Sequence, residues 1–114
     1  MGGFKLTIRE GPRVRHERYD DADGALRALS EHAREIASSA HARPVDTKLR
    51  RFEPAQQVVA RLELAGPRRL RAGIDVRGDG STEAYTGKLR RQLLERRSGE
   101  SAEDALRRAV SDGS

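Results

Sequence analysis

The sequence predicts an α+β domain: an antiparallel sheet of about five or six strands with helices on one face, in the order β-β-α-β-β-β-β-α-α. Three observations carry this. Apolar and polar residues alternate over Phe4–Arg9, Val58–Leu64 and Leu70–Arg77, the period of a strand with one buried face. Gly11-Pro12, Gly66-Pro67 and Gly78-Asp79-Gly80-Ser81 punctuate these runs as turns. The stretch from about residue 21 to 41 switches to the helical period. At 114 residues, the whole of 1–114 reads as one domain, with a short tail, 111–114, expected to fray.

In order, Phe4 to Arg9 and Val14 to Tyr19 form a hairpin across Gly11-Pro12. A lone hairpin is marginal in water, so it is expected to join a larger sheet. Asp20 or Asp21 caps the following helix, since a short carboxylate accepts from the exposed N–H groups of a first turn. Ala22, Leu26, Leu29, Ala33, Ile36 and Ala40 trace one stripe along it, small enough for close packing on a sheet. Arg43-Pro44 ends that helix.

Val45 to Phe52 alternates as a further strand, interrupted by Pro54. A meander follows. Val58, Ala60, Leu62 and Leu64 share one face, and so do Leu70, Ala72, Ile74 and Val76. Thr82 to Thr86 makes a third short strand after the Gly-Asp-Gly-Ser turn. Thr86 then caps a helix with Leu89, Leu93 and Leu94 on its apolar side, which Ser98-Gly99 stops. A last short helix starts at Ser101, with Asp104 in the capping-box position and Ala105, Leu106, Ala109 and Val110 facing the core.

Composition narrows function. The chain has no cysteine, which excludes disulfides, thiolate catalysis and cysteine metal sites. No apolar run approaches the ~18 residues of a membrane span, and the N-terminus lacks a signal-peptide core, so a cytoplasmic location is the expectation. Charged residues make up 36% of the chain, against about 25% in an average domain. The core is therefore thin and built from Leu, Val, Ile and Ala, with no Trp and four other aromatics.

Familiar chemical motifs fail on spacing. Gly87-Lys88 has neither the upstream Gly nor the following Ser or Thr of a P-loop. Counted from Asp75, an EF-hand loop would have Arg77 at its third position and Thr86 at its twelfth. His16, His32 and His41 lack partners for a metal site and read as surface residues. Asp75, between Arg71 and Arg77, reads as a cross-strand charge partner. No nucleophile elbow or zinc-protease helix occurs, and the expectation is a non-enzymatic domain without cofactor or metal.

What remains is arginine. Of 23 basic residues 20 are Arg, and the excess is local: residues 1–42 are neutral, residues 43–97 carry fourteen basic and seven acidic side chains, and residues 98–114 are slightly acidic. Arg61, Arg69, Arg71 and Arg77 fall opposite the apolar face of the meander, and Arg90, Arg91 and Arg97 fall on the helix after it. The guanidinium fork pairs with two phosphate oxygens at once, so these seven are the candidate site for an RNA or DNA backbone. By element order alone, the chain is similar to some ribosome-associated and double-stranded-RNA-binding modules. The alternative is a protein-interaction or self-association module that pairs through an exposed sheet edge as a homo-oligomer.

Overall fold

The apolar alternation found in the sequence is realised as a sheet in the order β2-β1-β3-β4-β5-β6, every pair antiparallel. A computed structural model describes residues 3–42, 57–87, 92–93 and 100–113. Within them lie β1 (Phe4–Glu10), β2 (Arg13–Tyr19), α1 (Ala22–Ala42), β3 (Val58–Gly66), β4 (Leu70–Arg77), β5 (Thr82–Thr86), β6 (Gln92–Leu93) and α2 (Ala102–Gly113). Five full strands and a two-residue sixth make the α+β architecture that the patterning predicts.

Two details differ from expectation. Gln92 and Leu93 pair with Thr86 and Tyr85 as strand, where leucine spacing predicts a helix. Leu89, Leu93 and Leu94 are too few to distinguish the two periods, and hydrogen bonding to β5 decides between them. At the other end, α2 continues to Gly113, into the stretch expected to fray. The strand predicted over Val45–Phe52 lies outside the described residues.

Both helices lie on the same side of the sheet. The core joins Leu6 and Ile8 of β1, Leu62 and Leu64 of β3, Ile74 and Val76 of β4, and Ala84 of β5. Above them sit Leu26, Leu29, Ala33 and Ile36 of α1, and Ala102, Leu106 and Val110 of α2. Ala25, Ala33 and Ala40 are buried on the sheet-facing side of α1, and a methyl in place of a longer side chain lets the helix axis come close. Asp21 is the N-cap of α1: its carboxylate accepts from the Gly24 N–H at 2.7 Å. Ser101 and Asp104 complete the reciprocal capping box of α2, at 3.1 and 3.2 Å. Asp23 ties the helices together by accepting from Arg107 at 2.8 Å while also pairing with Arg27.

The connection from β3 to β4 is less ordinary. Pro67–Arg69 forms a single 3-10 turn, and both Arg68 and Arg69 take positive φ, 58° and 62°. For residues with a β-carbon this region costs about 1–2 kcal/mol each. Arg69 therefore belongs to the turn and not to the strand face with Arg71 and Arg77 on which the alternation puts it. On the face away from the helices, Gly73 is roofed by Tyr85. A β-carbon there would stand 2.3 Å from the Leu62 carbonyl oxygen and 2.5 Å from the Tyr85 hydroxyl.

Gly73→Ala is accordingly expected to lower stability by about 1–3 kcal/mol, the usual cost of overpacking, seen as a lower urea midpoint with an unchanged slope. Leu62→Ala, which empties a fully buried site, is expected to cost about 2–5 kcal/mol. Equal midpoints for Gly73→Ala and the parent would contradict the close roof.

Candidate nucleic-acid interface

With the helices on one side, the other side of the sheet presents every second residue of its strands. Strand register sorts that face into three rows. The first runs Val14, Arg9, Arg61, Asp75, Glu83. The second runs His16, Thr7, Glu63, Gly73, Tyr85. The third runs Arg18, Lys5, Ala65, Arg71, closed by the Gly87 N–H donating to the Arg71 carbonyl at 3.1 Å.

The rows differ in charge. In the first, Arg61 donates through Nε to Asp75 at 3.0 Å, and Asp75 is buried, with 4% of its surface exposed. Arg77, beyond that row on β4, donates to Glu83. Asp75 is a cross-strand partner as expected, but its partner is Arg61 on β3 and not its own-strand neighbours Arg71 or Arg77. These two carboxylates locally neutralise two of the predicted site arginines. Glu63, in the second row, stands 3.9 Å from Arg9, an exposed pair of little energetic weight. The third row holds Arg18, Lys5 and Arg71 and no carboxylate. Among the described residues none of the three has an ion-pair partner, and Arg71 donates only to its neighbour's carbonyl, that of Leu70, at 3.2 Å. Arg68 and Arg69, both exposed, cap this same end of the sheet from the β3–β4 turn.

The structure thus places Arg61, Arg71 and Arg77 on the open face and Arg69 at its border. Arg90, Arg91 and Arg97 lie outside the described residues. Lys5 and Arg18 join the site although the neutral balance of residues 1–42 gave no reason to look there. The signal lay in the hairpin: pairing across Gly11-Pro12 sets residue 5 opposite residue 18. Between the second and third rows the face sinks into a depression of about 370 Å³, lined by Lys5, Thr7, Arg61, Glu63, Arg71 and Tyr85 among others. Ala65, between Lys5 and Arg71, leaves its floor low.

A second titratable cluster lies on the helix side. Tyr19 donates to Glu17 at 2.6 Å, and His32 of α1 contacts the same carboxylate at 3.1 Å. His32 is therefore half-buried against β2, not the surface residue that its lack of metal partners implies. The bond from Tyr19, with His32 adding to it, holds the Glu17 carboxyl below its ordinary value. The anionic acceptor in turn pushes the Tyr19 phenol up to about 12. Asp79, in the Gly-Asp-Gly-Ser turn, is also held low by the Ser81 hydroxyl and backbone N–H, which fits a purely geometric role for that turn.

Among the described residues no group of three metal-ligating side chains converges, and no helix is long and apolar enough to cross a membrane. Comparison of the chain with protein-family models, with curated proteins and with solved structures finds no match.

In a Tyr85→Phe background, the remaining Tyr19 phenol is expected to ionise with a midpoint of about 12, read by ultraviolet absorbance, and Glu17→Gln is expected to bring it back toward the ordinary value. The sign for stability follows. Glu17, lowered in the folded state, stabilises above its unfolded pKa, and that contribution fades as pH falls through the folded one. Tyr19, raised, stabilises fully below its unfolded value near 10, and its contribution is lost as pH rises through about 12. An unshifted midpoint for Tyr19 would contradict the hydrogen bond.

Proposed function

We propose that this domain binds nucleic acid, RNA in particular, by laying a phosphate backbone across the cationic end of its open sheet face. One observation carries the reading: the row Arg18, Lys5, Arg71 bears three positive charges and no carboxylate, and adjoins Arg68 and Arg69. Elsewhere on the face arginines are met by carboxylates, as at Arg61–Asp75 and Arg77–Glu83. A surface kept only for solubility has no need to concentrate its unmatched cations at one end. The contact is to the backbone and blind to sequence, because Tyr85, the aromatic on this side, is buried, with 5% of its surface exposed, and offers no ring face for stacking.

The second reading, self-association through an edge, draws on β2, seven residues long and exposed. Its Arg13, Arg15 and Arg18 would crowd like charges between two antiparallel copies, so the phosphate reading is the better supported.

Fluorescence anisotropy with a labelled single-stranded RNA tests this. Affinity is expected to fall steeply between ~50 and ~200 mM salt, and Lys5→Ala, Arg18→Ala and Arg71→Ala each to reduce the log–log salt slope by about 0.7. Arg77→Ala, whose charge is already met by Glu83, is expected to change it far less. Absence of binding at ~50 mM salt, where phosphate contacts are strongest, would overturn the proposal.

A further inference from the structure

The depression between the second and third rows has the cationic lining, and the room, for a phosphate group together with part of what carries it. Its volume of about 370 Å³ is near the lower end of small-ligand sites. Three cations line it, Lys5, Arg61 and Arg71, against one carboxylate, Glu63. Arg61 gives its Nε to Asp75 and has no other partner for its guanidinium among the described residues, so its terminal nitrogens remain as donors. Thr7, whose hydroxyl meets His16 Nδ1 at 3.2 Å, and the buried Tyr85 complete the wall.

A backbone phosphodiester brings a single negative charge and carries chain on both sides. A phosphomonoester brings about −1.5 to −2 at neutral pH, three terminal oxygens, and chain on one side only. Asp75 meets the charge of Arg61, so what distinguishes the second is its oxygens: Lys5, Arg71 and the terminal nitrogens of Arg61 line a hollow closed on its floor by the sheet, and three terminal oxygens can accept from them. We propose that this depression binds a phosphomonoester dianion, such as the 5′-phosphate that ends a nucleic-acid strand or the same group on a free mononucleotide. The inference rests on the phosphate reading of this face and deepens it from backbone contact to recognition of an end.

Three probes separate the possibilities: one RNA carrying a 5′-phosphate, the same RNA with a 5′-hydroxyl, and adenosine 5′-monophosphate as competitor. The phosphorylated strand is expected to bind roughly tenfold tighter, the factor that about 1.4 kcal/mol gives. Arg71→Ala, and independently Lys5→Gln, are expected to erase that preference while weaker binding of both strands persists. Both residues are solvent-accessible strand positions, and circular dichroism checks that the variants stay folded. Displacement of the phosphorylated strand by the mononucleotide at comparable concentration identifies a free nucleotide as the ligand, and resistance to it identifies the strand end. Equal affinity for the two strands would overturn the seat and leave the backbone reading standing. Loss of both strands at low salt, with the mononucleotide still bound, would overturn the backbone reading and leave the seat standing. No response to any of the three would overturn both.

Discussion

Burial of one column of side chains governs the rest of the architecture. Leu62, Leu64, Ile74 and Val76, on adjacent strands, are fully buried and form the centre onto which both helices press. With so few aromatics, the core gains from close approach what it lacks in side-chain size, and the alanines of α1 provide that approach. Among the described residues no helix covers the other side. The opposite face must therefore satisfy its own charges, strand to strand, in water.

That necessity explains the pattern of the open face. Arginines and carboxylates meet where strand register brings them opposite, as at Arg61 and Asp75, whose carboxylate would be costly to bury alone. Among the described residues, the strand row at the end where β1 and β4 begin holds no carboxylate. The unmatched charge of Arg18, Lys5 and Arg71 is thus a product of register, and the small Ala65 makes the ground between Lys5 and Arg71 concave. The close roof of Tyr85 over Gly73 fits the same geometry, since no larger residue leaves room for the ring.

Much of the fold was legible in the sequence because burial alternates with a period of two in strands and follows a stripe in helices. The α1 stripe, the Asp21 cap, the Ser101–Asp104 box and the meander all follow from local spacing. The strand at Gln92–Leu93 did not, because its pairing to β5 outweighs a leucine spacing that also suits a helix. Arg69 was misplaced by alternation, which does not foresee that the chain passes through positive φ before β4 starts. The site was only partly legible. Arg71 was found from its strand, but the match of Arg61 to Asp75 spans fourteen positions, and Lys5 reaches Arg71 only through a strand order that places β1 beside β3. Net charge along the chain could not show this, since it averages residues that the sheet separates and separates residues that the sheet unites.

The position of α2 has a consequence for the order in which the molecule is made. Its Ala102, Leu106 and Val110 complete the core above β4 and β5, yet they follow every strand in the chain. Until this helix docks, the apolar surface that it covers on β4 and β5 is open to water. Before then α1 packs over β1 to β4 and leaves β5 to α2. Asp23 and Arg107, joined across 84 positions, mark the moment when the two halves of the roof close. A chain whose core-completing helix follows its strands exposes that apolar surface to wrong association until the helix docks.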